Sequence, residues 1–118
     1  WDVALMPFAL NEATRFISPT KAPEYLAGGK PVVSTPVADV VSRYEGLEAV
    51  QVAGSAEAFV AACERALRWT KLPDQARVDA MLEAMSWDGI HAAMAALVHR
   101  AAARKGTAAP ALRVVPSK

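Results

Sequence analysis

Apolar positions along the chain fall into short runs separated by stretches of helical spacing. Val3 to Phe8 (VALMPF) is a compact apolar run, interrupted by Pro7 and followed by polar Asn11 and Glu12, which suits a buried parallel strand. Pro31 to Thr35 (PVVST) is a second strand, β-branched and ended by Pro36, and Leu47 to Val52 is a third. Between the first two, Ser18 and Pro19 read as N-cap and first helical residue, Pro23 is tolerated near the start, and Gly28-Gly29 stops the helix through a left-handed C-cap. Val37 to Tyr44 is a short helix stopped near Gly46. Ser55 caps a helix that sets Phe59, Cys63, Ala66 and Leu67 on one face. Pro73 opens another through Met85, and Ser86 caps a last helix with Ile90, Met94 and Leu97 as its apolar stripe. Beyond Gly106 the Ala/Pro/Thr-rich sequence has no periodicity and is expected to be a flexible tail.

The predicted order is β-α-β-α-β-α-α-α. Strands alternating with helices imply a parallel sheet, so the expected fold is α/β and Rossmann-like, with about three strands flanked by helices. Three strands are few for such a sheet, and Trp1-Asp2 leads almost at once into the first of them. Both features are expected of a chain that continues a longer one. The body is expected to span residues 1–105, with residues 106–118 a basic tail.

Length and composition agree: 118 residues, 53% hydrophobic, suit one small domain with a real core. A net charge of +1 gives no field that would favour nucleic acid. The charge is unevenly placed, however. Residues 1–60 carry seven acidic and four basic side chains, whereas residues 61–118 carry five acidic and nine basic. From Arg100 onward there are five basic residues and no acid, an end that suits either plain solvation or weak peripheral contact with an anionic membrane surface. Cys63 is the only cysteine, which excludes a disulfide within the chain and suits a reducing, cytoplasmic compartment. Its apolar setting predicts an inert thiol. His91 and His99 lack partners in sequence for catalysis and are expected to be structural, and no set of residues has metal-ligand spacing.

In an open parallel sheet, ligands bind beyond the carboxyl ends of the strands. The loop Ala9 to Ile17 follows the first strand and leads into the helix that starts at Ser18, so it belongs to that edge. A helix start offers unpaired N–H groups and partial positive charge, a setting for phosphate. Pro19 has no N–H, so Thr20 and Lys21 supply the backbone donors, and Ser18, Thr20 and Lys21 add side-chain donors. Glu24 shares a face with Thr20 and Lys21 and lies roughly 6 Å along the axis from Thr20, about the offset between a diphosphate and a ribose. A carboxylate accepts from two vicinal hydroxyls. The same spacing equally fits a surface ion pair between Lys21 and Glu24. Asp39, after the second strand, fits either a ligand group or a helix cap.

The segment SPTKAPEYLAGGKPVVST resembles the donor-site segment of GT-B glycosyltransferases, especially glycosyltransferase family 4. The recurring form there is a polar turn followed by Glu, an aromatic residue or Met, Leu or Ala, Ala, any residue, Gly, a basic residue and Pro-Val-Val. It corresponds here to Glu24 through Val33. The strand WDVALMPF and the helix start Ser86-Trp87-Asp88 also look like that family, so the likeness spans about residues 1–100. The resemblance implies the C-terminal part of a nucleotide-sugar-binding domain, with Glu24 on the ribose and Ser18, Thr20 and Lys21 facing the diphosphate. Many members carry a second acid eight residues before that glutamate, where this chain has Phe16. Sugar or phosphate contacts then fall to its neighbours Asn11, Glu12, Thr14 and Arg15.

The activity implied is glycosyl transfer in a full-length enzyme, from a nucleotide-diphosphate sugar to an acceptor held by an N-terminal domain of the same chain. No cofactor or catalytic metal is implied, since fixed donors take a cation's place. The alternative is a stand-alone, non-catalytic α/β nucleotide-binding or regulatory module.

Overall fold

A computed structural model describes residues 1–104; the expected tail lies outside the described residues. They form three strands, β1 (Ala4–Met6), β2 (Val32–Ser34) and β3 (Val50–Val52), and five helices. The helices are α1 (Lys21–Ala27), α2 (Ala38–Tyr44), α3 (Ala56–Leu67), α4 (Gln75–Ala84) and α5 (Trp87–Arg104). The sheet has the order β1-β2-β3 and is parallel throughout, with Ala4, Val32 and Val50 in one register row and Met6, Ser34 and Val52 in another. The expected α/β class and the order of elements are therefore observed. The strands are shorter than their apolar runs because the flanking residues turn out of the ladder into loops.

β2 explains the layering. It is central, and its three residues are all buried. Side chains alternate along a strand, so Val32 and Val33 point to opposite faces. Val32 packs with Ala4, Met6, Ala22 and Leu26 of α1, Val40 and Tyr44 of α2, and Val78 of α4. Val33 packs on the other face with Ala62 and Ala66 of α3, beside half-buried Phe59, Cys63 and Trp69. Each buried valine contributes about 1.5–3 kcal/mol. Helix α3 packs on β2 and β3, and Leu5 of β1, which pairs with Val33, is exposed. The thiol of Cys63 is only half-buried, and Leu67, expected on the packed face of α3, is exposed.

Local chemistry sets most boundaries. Helix α1 ends in a Schellman turn: the N–H of Gly29 donates to Leu26 O (2.9 Å) and that of Lys30 to Tyr25 O (2.9 Å), with Gly29 at φ +70°. Ser55 caps α3 by accepting from the Ala58 N–H (3.2 Å), and Ser86 caps α5 by accepting from the Gly89 N–H (3.2 Å). Helix α1 departs from expectation, beginning at Lys21 rather than Pro19, with Thr20 at its cap and no side-chain cap bond. Asp74 adopts a left-handed conformation (φ +54°), accepts from the Glu48 N–H (2.8 Å) and starts α4 through its own carbonyl.

Two compact units are present, Trp1–Leu82 and a second beginning at Glu83. The stripe expected on α5 exists, but α5 has no buried residue, and Ile90, Met94 and Leu97 are exposed. His91 and His99 are exposed as well. No helix among the described residues is long and apolar enough to cross a membrane.

Gly29→Ala is expected to cost about 1–2 kcal/mol, with Gly29→Asn milder, in thermal melts. A Cβ there meets nothing within 4 Å, so the cost is one of backbone conformation alone. Tyr44 supplies a second test. Its hydroxyl is buried without a hydrogen-bond partner among the described residues, and burial pushes the phenol above its ordinary range, with Arg43 opposing and Asp39 adding to the shift. The unfolded phenol then ionises first, so the associated stability is present below about pH 10 and is lost as pH rises through the folded value. Tyr44→Phe should leave the melting temperature at pH 7 unchanged or raised and should lessen the alkaline loss, measured by melts from pH 8 to 11.

Candidate functional site

A parallel sheet brings all its strand exits to one edge. After β1 the chain loops through residues 7–20 before α1; after β2 it turns through residues 35–37 into α2. Thr35 couples these exits. Its N–H donates to Met6 O (3.2 Å) and its hydroxyl to Phe8 O (2.9 Å). Beside it Ser34, fully buried, donates its hydroxyl to Thr35 O (2.9 Å). Between the two exits lies an open cleft of about 570 Å³, lined by Leu10, Asn11, Glu12, Thr14 and Arg15 on one side and by Pro36, Val37 and Ala38 on the other.

The loop wall of the cleft is internally bonded. The Thr14 N–H donates to Asn11 Oδ1 (3.1 Å), and the Asn11 N–H donates to Thr14 Oγ1 (3.1 Å). The Thr14 hydroxyl donates to the Ala9 carbonyl. This reciprocal arrangement resembles a capping box and commits Asn11 Oδ1 and the Thr14 hydroxyl to the loop's shape. Arg15 lies over the ring of Phe16, 5.2 Å from its centroid, and 3.7 Å from the Glu12 carboxylate. All three side chains are exposed, Phe16 to 84%, so Arg15 is held loosely and is open to an incoming anion.

The residues of the motif are arranged differently from expectation. Ser18 does not cap α1. It precedes Pro19, which biases it toward an extended backbone, and the helix starts three residues later. Its hydroxyl instead donates to Asp39 Oδ2 (2.7 Å), a charge-assisted bond between the β1 exit and the first turn of α2. Asp39 does not cap α2 either. Extended Val37 takes that position with no side-chain bond, and Asp39 Oδ2 also lies 3.7 Å from Arg43 Nε. Lys21 Nζ donates to Glu24 Oε2 at 2.9 Å. That hydrogen bond, followed by the charge of Glu24, raises the Lys21 ammonium above its ordinary range. Both side chains remain largely exposed, so the pair is screened and weak in stability terms.

The candidates thus form three local sets on one sheet edge: Asn11 with Thr14, Arg15 with Glu12 and Phe16, and Lys21 with Glu24. Ser18 is drawn to Asp39, with Thr20 between it and the helix. Thr35 went unnoticed in the sequence, although its place immediately after β2 marks it for the ligand-bearing edge. No group of His, Cys, Asp and Glu among the described residues is disposed to hold a metal ion. Comparisons with protein-family models, with curated proteins and with solved structures gave no match.

The loop bonds predict a local effect. Thr14→Ala should accelerate amide hydrogen exchange at Asn11 and Thr14 by roughly 5–10-fold, the loss of about 1 kcal/mol of local hydrogen bonding, while β2 amides keep their protection.

Proposed function

We propose that the chain is the C-terminal part of the donor-binding domain of a GT-B-type glycosyltransferase and that it holds a nucleotide-diphosphate sugar during transfer to an acceptor bound elsewhere in a full-length enzyme. The observation that carries this reading is the run from Ser18 to Val33, which joins the β1 exit to β2 with a basic and an acidic side chain one helical turn apart. The cleft between the β1 and β2 exits supports it, since open parallel sheets take their ligands there.

On this reading Glu24 accepts from the vicinal hydroxyls of the ribose. Lys21, held protonated by Glu24, exchanges that partner in part for the diphosphate. The Thr20 hydroxyl and the backbone N–H groups of Thr20 and Lys21 add donors, and Arg15 offers a second cation from the cleft wall. Transfer leaves negative charge on the departing diphosphate, and donors fixed before the reaction stabilise that charge without reorganising. A resident metal is not required for this work.

The test is titration calorimetry with UDP, GDP and ADP. At least one is expected to bind, and Glu24→Ala should weaken it about tenfold, the equivalent of about 1.4 kcal/mol. If none of the three binds at millimolar concentration, the proposal fails.

A further inference from the structure

Ser18 and Asp39 lie 21 residues apart yet share a 2.7 Å hydrogen bond; Asp39 directly follows Ala38, and Ser18 comes three residues after Arg15, both of which line the cleft. A carboxylate has no proton to give, so the hydroxyl is the donor. A serine hydroxyl has one proton and two lone pairs. With its proton committed to Asp39, Ser18 Oγ has only acceptor capacity left, and its exposure leaves that capacity open to a ligand. Phosphate oxygens are acceptors too, and the Asp39 carboxylate beside Ser18 repels them. The partner that suits the pair is a ligand hydroxyl, which can donate to Ser18 Oγ or to the carboxylate.

We propose that the Ser18–Asp39 pair is a hydroxyl-recognising element beside the cleft and that Ser18 is not a phosphate ligand. Asp39 acts as a positioning residue: it orients the serine hydroxyl, and Arg43 steadies its own carboxylate from the next turn of α2 (3.7 Å). The proposal rests on the donor-site reading and sharpens it. Phosphate recognition is left to Thr20, Lys21 and Arg15, and Ser18 serves a polyol part of the ligand.

The experiment compares inorganic pyrophosphate, the nucleoside diphosphates UDP, GDP and ADP, and their glycosyl esters UDP-glucose, GDP-mannose and ADP-glucose. Binding is followed on the 118-residue chain by protein-observed NMR titration. Ser18→Ala should weaken the preferred glycosyl ester by about 3–10-fold and leave pyrophosphate unchanged. If the nucleoside diphosphate weakens equally while pyrophosphate does not, the recognised hydroxyl belongs to the ribose, and the proposal stands. Asp39→Ala frees the serine proton and removes a negative charge, so pyrophosphate should bind as well as before or more tightly. Asp39→Asn, which keeps an acceptor for Ser18, should restore most of the affinity for the ester. A Ser18→Ala variant that loses pyrophosphate as much as the ester, or loses neither, overturns this proposal alone. Failure of the wild-type chain to bind any of the compounds overturns the donor-site reading along with it. If Asp39→Ala does not fold, the Ser18→Ala comparison decides the matter by itself.

Discussion

Strand β2 hydrogen-bonds to β1 on one side and to β3 on the other while Val32 and Val33 fill the two opposite faces of the sheet. A three-residue strand has few ladder bonds of its own, so its place is held by side-chain burial on both faces. Every other element of the unit Trp1–Leu82 is arranged around that requirement. Helices α1, α2 and α4 supply apolar side chains to the Val32 face, and α3 supplies small residues to the Val33 face. The alanines of α3 matter for this reason: Ala62 and Ala66 let the helix sit close to the sheet.

The same constraint makes the site. Because β1 and β2 run parallel, both must return to their starting edge through a helix, and both exits emerge on the same side. The exits are then close enough for Thr35 to bond to Met6 and Phe8 and for Ser18 to reach Asp39. The cleft between the exits is walled by a self-bonded loop on one side and by the turn into α2 on the other. The charged groups that line it, Glu12 and Arg15, are paired, as are those on the neighbouring helices, Lys21 with Glu24 and Asp39 with Arg43. On the proposed function a ligand competes with weak, exposed pairs and not with deeply buried ones, so exchange of partners costs little.

Much of the fold was legible in the sequence because it rests on local rules. The valine-rich run of β2 is buried whichever way the chain folds. Gly28-Gly29 stops α1, and Ser55 and Ser86 cap the helices after them, because these effects act within four or five residues. Part of the site was legible on the same grounds: Lys21 and Glu24 meet because residues three apart on a helix are neighbours. Ser18 shows where such reasoning ends. Ser-Pro is a good helix start considered locally, but a carboxylate from another element competes for its hydroxyl, and that carboxylate is invisible to a local reading. Leu67 and the stripe of α5 mark a similar boundary. Helical spacing tells which residues share a face, but it does not tell whether that face is covered.

The sequence by itself therefore determined the α/β order, the glycine stop of α1, the serine caps of α3 and α5, and the closeness of Lys21 to Glu24, all of which depend on short-range geometry. Tertiary structure alone decided that α1 starts at Lys21, that Asp39 accepts a hydrogen bond from the Ser18 hydroxyl, and that Thr35 links the two strand exits. Those choices depend on which groups the parallel register brings to a common edge. A hydroxyl goes to the best acceptor within reach, and reach is set by the fold.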